Sequence, residues 1–406
     1  MTQPEILTLC RDEDSQTESV LQFPHGDGFL SGESWSLSGT LRMNTGEAES
    51  RGIFRCLCDE ENFSEFQVVR QTGDFNGIRR NITRNGFRLQ TNSNELVCRL
   101  PDSEDWSVDF SLFFTQGFVY LFFREPGKQP ALITSYEVDW PQCTPLFVLT
   151  GIAQVTLSNL QTETDPAKVR KQYLQWGVQG EIHGSARLLF LGNSGMFFYD
   201  VPNTFSRLAR QAGYLAEVNS VSKSNAHLYH HADPETDLGM LTAQELTRGY
   251  DVVFLQDATT CTRDETARQD TAAAVRTLAK TIRACGAKPW MYVRPPKNNY
   301  GEKSTPAIAA REYDELFTPL AAELDTTCAY INRAFALAWQ TTGLNLWHTD
   351  NAHPNAKGAY LAACVVFSTL FSTSCSVLGD DGLPAEEAKI LREIADRIGL
   401  EGFIPW

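Results

Sequence analysis

Two patterns of apolar and polar positions divide the chain. From about residue 25 to 160 the period is two. Trp35-Ser-Leu-Ser-Gly-Thr-Leu-Arg-Met43 alternates apolar with polar or small positions, and so does Ser107-Val-Asp-Phe-Ser-Leu-Phe113. Successive side chains of a strand point to opposite faces, so each segment reads as a strand with one face buried. Gly117-Phe-Val-Tyr-Leu-Phe-Phe123 is apolar throughout, which suits a central strand. Turn residues such as Pro126-Gly127 punctuate the runs, and no helical periodicity intervenes. The pattern predicts an all-β, two-sheet antiparallel sandwich over residues 1–160.

The pattern then changes. Asp165-Pro166-Ala167 opens a helix through Val169, Tyr173 and Trp176, with Asp165 as N-cap and Pro166 at the first helical position. It ends near Gly177 and Gly180, and residues 161–184 read as a connector between domains. From Arg187 onward, strand-like runs at Leu188–Leu191, 251–255, Lys288–Val293 and 329–331 alternate with helical stretches. The helices are expected near 203–212, 264–284, 306–324, 332–340, 356–373 and 384–398. Such alternation predicts a parallel sheet covered by helices on both faces, a flavodoxin-like three-layer α/β/α domain over 185–406. Sites on such sheets lie beyond the carboxyl ends of the strands.

Composition narrows the partners. At 406 residues the chain can hold two domains, each with its own core. The net charge of −15 argues against nucleic acid and against anionic membrane surfaces. No run of about 18 apolar residues predicts a membrane span. The start, Met1-Thr2-Gln3-Pro4-Glu5, has neither a basic segment nor an apolar core, so a cytoplasmic location is expected. The ten cysteines are scattered and read as buried free thiols, with no disulfide framework. No metal and no cofactor are expected.

Two short motifs carry chemistry. Gly192-Asn193-Ser194 directly follows the apolar run Leu188–Leu191, which places Ser194 at a strand-to-loop corner. Near the C-terminus, Asp350 precedes His353 by three residues, close enough to hold its Nδ1–H and leave Nε2 free for a proton. Ser194, His353 and Asp350 then read as nucleophile, general base and orienting carboxylate of acyl transfer. His348 is a weaker rival base. The Ser194 N–H is one expected donor to a developing oxyanion.

Residues 187–378 resemble the SGNH (GDSL-type) hydrolases, closest to bacterial members with Gly-Asn-Ser. The resemblance rests on Gly192-Asn193-Ser194, on Leu255-Gln256-Asp257, and on His353-Pro354 followed by Gly358-Ala-Tyr-Leu-Ala362. It implies a serine esterase with Gln256 as a side-chain oxyanion donor. The family's second block supplies a glycine N–H, and here Ser224-Asn225 stands in that place. The Ser224 N–H is the expected donor, with Asn225 the alternative. Asn225, Asp257 and Arg294 are further candidates for contact with substrate. Arg294 suits a substrate carboxylate or hydroxyls, or else a structural ion pair. The residues alone imply an acyl ester. The resemblance, with the sandwich read as a concanavalin- or laminin-G-like jelly roll, implies acetyl esters on a carbohydrate.

The substrate is therefore expected to be a small-molecule or oligosaccharide ester, with homo-oligomerisation left open. The alternatives are a lipid or thioester acyl hydrolase, and a non-catalytic carbohydrate-binding protein on the same scaffold. Trp35, Trp106, Phe113, Phe114 and Tyr120 read as core more readily than as sugar-stacking platforms. His227, His230 and His231 read as a solvated helix face rather than a metal site.

Overall fold

The computed structural model describes the chain outside residues 1–6, 11–17, 45–49, 71–76, 85, 89–97, 100–104, 139, 151–153, 179 and 299–304. It divides into two compact units, Met1–Gln179 and Gly180–Trp406.

Two antiparallel sheets build the first unit. One runs, in spatial order, Leu7–Cys10, Gln154–Glu163, Trp35–Asn44, Asp105–Thr115, Phe118–Arg124 and Ala131–Glu137. The other runs Cys98–Arg99, Gly77–Arg84, Phe63–Arg70, Ser50–Leu57, Thr144–Thr150 and Ser19–Gln22. The alternation seen in Trp35–Met43 sends Trp35, Leu37, Leu41 and Met43 into one core with Phe54, Phe66, Val68 and Phe147 of the facing sheet. Phe54 lies 4.9 Å from Phe110 and 5.0 Å from Phe147, ring to ring.

The apolar strand Phe118–Arg124 is central, paired on both sides. Its two faces have different covers. Val119, Leu121 and Phe123 face the core between the sheets. On the other face, Tyr120 meets Tyr173 at 4.5 Å and Phe122 meets Trp176 at 6.5 Å. Tyr173 and Trp176 belong to the helix Pro166–Gly177, which Asp165 caps by accepting from the Ala167 and Lys168 N–H groups. The segment expected to be a connector is thus a third layer on the first unit. An all-apolar strand needs apolar cover on both faces, and this helix supplies the second.

The second unit is α/β with a parallel sheet. Its strands stand in the order Tyr214–Ser222, Gly184–Gly192, Val252–Leu255, Lys288–Val293, Thr327–Tyr330. Leu188, Phe190 and Phe254 point to one core, shared with the helices Val201–Gln211, Ile331–Thr341, Ala356–Phe371 and Ala385–Gly399. Leu189, Leu191 and Leu255 point to the opposite core, shared with Glu265–Ala284 and Pro306–Glu323. Strand order reverses at Gly184–Gly192, where the chain steps outward to Tyr214–Ser222 and then back across to Val252–Leu255. Loops leaving the carboxyl ends on either side of that reversal diverge and leave a crevice between them.

Among the described residues, no helix is long and apolar enough to cross a membrane. Cys56, Cys58, Cys143, Cys261, Cys285, Cys328, Cys364 and Cys375 are free thiols, and the side chains of Cys10 and Cys98 lie outside the described residues.

Candidate active site

The crevice gathers residues from four strand ends. Ser194 opens a single helical turn directly after the strand Gly184–Gly192, with Asn193 as N-cap. Asn193 Oδ1 accepts the Gly195 N–H at 3.0 Å, which leaves the Ser194 N–H at the first helical position without an intrahelical acceptor. His353 Nε2 lies 2.8 Å from Ser194 Oγ, and its Nδ1 lies 2.5 Å from Asp350 Oδ2. A carboxylate can only accept, so Nδ1 carries the proton and Nε2 accepts from the serine hydroxyl.

The loop bearing His353 is tightly specified. Asp350 Oδ1 accepts from the N–H groups of Ala352 and His353, closing a turn with Asn351 at φ +57°. Asn355 caps the helix Ala356–Phe371 and ties the loop to the carbonyls of Asn345 and Trp347. Phe198 stacks on the His353 ring at 4.5 Å. Partial burial works against ionisation of Asp350, but its hydrogen bonds from His353 and two backbone N–H groups outweigh that and hold the carboxyl down at about 2. His348 donates its backbone N–H to the His353 carbonyl, and its ring meets Phe198 rather than Ser194.

Gln256 is fully buried and its amide is committed. Oε1 accepts the Asn193 N–H at 2.9 Å, while Nε2 donates to Asn193 Oδ1 at 3.0 Å and to the Asp257 carbonyl at 2.7 Å. Both amide hydrogens therefore have partners. The geometry makes Gln256 a clamp on the Asn193–Ser194 turn, in place of the free oxyanion donor expected of it. Gly192 and Gly195 permit the clamp. A Cβ on Gly192 would lie 2.4 Å from Gln256 Oε1, and one on Gly195 would lie 2.9 Å from its Nε2.

The second-block expectation also shifts by one residue. Asn225 lines the cleft and Ser224 does not, and Asn225 adopts the left-handed conformation at φ +58°. An asparagine tolerates that geometry better than a serine, so the turn presents Asn225 to the site.

Asp257 does not face the cleft. Its buried carboxylate accepts from the Ala258 N–H, the Leu228 N–H, Thr271 Oγ1 and His227 Nδ1. The three histidines likewise depart from a solvated face. His231 is 3% exposed and bridges the Thr242 hydroxyl to the Gly192 carbonyl, and its pKa is pushed down to about 4 by burial. His230 accepts the His227 N–H, and burial lowers its pKa too. Polar partners contributed by other loops are invisible in the local run His227–His231. Among the described residues no cluster of His, Cys, Asp and Glu could hold a metal.

The cleft is lined by Asn193, Ser194, Asn225, Ala258, Thr259, Arg294, Lys297, Ala352 and His353. The five sandwich aromatics Trp35, Trp106, Phe113, Phe114 and Tyr120 are all buried in the first unit.

Fold and site together define a class: an α/β unit with a serine, a histidine and a carboxylate hydrogen-bonded in series where a parallel sheet reverses its strand order. Solved structures similar to the chain include a Slackia heliotrinireducens protein described as an SGNH hydrolase, at 26% identity and TM-score 0.40, over 46% of this chain and 99% of that one. The esterase EstA from a Pseudoalteromonas species is similar at 13% identity and TM-score 0.35, over 46% of this chain and 97% of its own. A Bacillus subtilis protein is similar across 89% of this chain and 82% of its own, at 13% identity and TM-score 0.39. No family model and no curated protein matches the chain.

Proposed function

We propose that the second unit is a serine esterase of the SGNH type that hydrolyses short acyl esters, acetyl foremost, carried on a carbohydrate. The observation that carries this reading is the continuous relay Asp350–His353–Ser194, with contacts of 2.5 and 2.8 Å. In the proposed reaction Ser194 Oγ attacks the ester carbonyl as His353 Nε2 takes its proton. The Ser194 N–H and Asn225 are the donors assigned to the oxyanion. Collapse of the tetrahedral intermediate breaks the bond to the alcohol, which leaves with the proton from His353. Water then attacks the seryl ester, with His353 again taking and returning a proton.

The lining supports a short acyl group and a polar alcohol. Among the described residues only Ala258 and Ala352 are apolar there, and a long acyl chain would find little apolar surface to cover. We assign the first unit to the concanavalin/laminin-G type of jelly roll on its strand order. Burial of Trp35, Trp106, Phe113, Phe114 and Tyr120, read from the sequence as core rather than as platforms, speaks against the non-catalytic sugar-binding alternative.

The test is hydrolysis of p-nitrophenyl acetate, butyrate and octanoate by wild type and by Ser194→Ala. Turnover that falls with chain length and vanishes in the variant supports the proposal. Faster turnover of octanoate would favour a lipid or thioester hydrolase. No turnover on these or on acetylated oligosaccharides, with glycan binding intact, would sink the esterase.

A further inference from the structure

Arg294 directly follows the strand Lys288–Val293 and is 4% exposed, yet it lines the cleft. Its Nε donates to the Pro295 carbonyl at 3.2 Å and its Nη1 to the Asp257 carbonyl at 3.4 Å. Among the described residues, no carboxylate pairs with it. The neighbouring acid, Asp257, turns its carboxylate away to His227, Thr271 and two backbone N–H groups. Nη2 lies against the nucleophile turn, 3.1 Å from where a Cβ on Gly195 would stand. Lys297 lines the same cleft, and among the described residues no Asp or Glu does.

A buried guanidinium is ordinarily paired, because an uncompensated buried charge is strongly destabilising. Among the described residues the pairing comes only from two weakly placed carbonyls, while the chain as a whole carries −15. The fold also fixes this cation firmly. Trp347 donates its indole N–H to the Pro296 carbonyl at 2.7 Å, and the Asn298 N–H donates to the Asn351 carbonyl at 2.8 Å. These bonds tie the segment after Arg294 to the loop that carries Asp350 and His353. An unpaired cation held at fixed distance from a nucleophile is the arrangement that recognises an anion on the substrate.

We infer that Arg294 forms an anion subsite, and that the preferred substrate is an ester bearing a carboxylate next to the scissile bond, such as the ester of an acidic sugar. The inference rests on the serine esterase reading for its reaction, but the subsite itself can be tested without turnover.

The experiment has two arms. In the first, kcat/KM is compared for phenyl acetate and 4-acetoxybenzoate, which differ by one carboxylate, in wild type, Arg294→Gln and Arg294→Lys. The expected result is at least a tenfold preference for the anionic ester in wild type. That ratio should collapse in Arg294→Gln and recover in part in Arg294→Lys. Equal kcat/KM for the two esters in wild type, or an equal loss on both in Arg294→Gln, would overturn the subsite while leaving the esterase standing. In the second arm, 4-hydroxybenzoate and 4-hydroxybenzamide are titrated into Ser194→Ala by calorimetry. Binding of the carboxylate alone, lost in Ser194→Ala/Arg294→Gln, upholds the subsite even if no ester turns over. Equal affinity for the two compounds overturns it.

Discussion

Ser194, His353 and Asp350 each have one task in the relay, and the geometry separates what their loss should do. Ser194→Ala removes the nucleophile and should lower kcat on p-nitrophenyl acetate by at least about 10³-fold with the fold intact, checked by steady-state kinetics beside circular dichroism. Asp350→Asn places an amide against Nδ1. It can donate there and favour the wrong tautomer, leaving Nε2 protonated and unable to take the serine proton, with a loss on the order of 10⁴-fold. Because Asp350 is held at about 2, it stays ionised at every pH above about 4. A kcat/KM profile should then show no ionisation belonging to Asp350 above about pH 4; an inflection there that Asp350→Asn removes would contradict this. Gln256 separates two roles. As a clamp, Gln256→Ala should cost about 1–3 kcal/mol of stability by stranding Asn193 groups, along with activity. As an oxyanion donor it would cost about 10²–10³ in kcat with an unchanged melting curve. Urea denaturation and kinetics on the same variant tell them apart.

Among the elements, the helices were the most legible. Residues 264–284 and 306–324 show strong apolar periodicity and good caps, and the structure places them at Glu265–Ala284 and Pro306–Glu323. The strand Tyr214–Ser222 is not legible in the sequence because Glu217, Asn219 and Ser220 interrupt its apolar run. Asn219 is nevertheless buried, with its amide on Glu245 and the Tyr250 hydroxyl, so a distant partner converts a loop-like residue into a strand residue. The relay was readable for the opposite reason. Asp350 and His353 meet through local chain, and only their meeting with Ser194 needs the fold. Nothing local says which residue of the Ser224-Asn225 turn faces inward. The partners of the helix Leu228–Ala232 lie outside its local run, and the burial of His231 makes a prediction. His231 is held down at about 4 against an ordinary value near 6.5. The unfolded chain therefore binds the extra proton first, and stability falls as pH drops from about 6.5 towards 4, by about 3 kcal/mol in all. Above pH 7 the residue makes no pH-dependent contribution. Urea midpoints at pH 7.5 and 4.5 should show this loss in wild type and a shallower one in His231→Gln, which cannot titrate. Parallel slopes in the two proteins would contradict the assignment.

At the scale of the whole molecule, each unit has its own core, and every residue lining the cleft belongs to the second. A fragment of residues 180–406 should therefore retain kcat/KM on p-nitrophenyl acetate within a few-fold of the full chain. Where the chain is cut matters more for the first unit. The helix Pro166–Gly177 looks like a linker by position, but Tyr173 is fully buried against Phe113, Tyr120 and Phe122. A fragment ending at residue 160 would leave that outer sheet face bare, an apolar patch of the kind that drives association. A fragment of residues 1–179 keeps the cover. The expected outcome is a monomeric, cooperatively melting 1–179 fragment and an aggregating 1–160 fragment, read by light scattering and thermal denaturation. Indistinguishable behaviour of the two would mean that the helix adds little to the sandwich and is a connector after all.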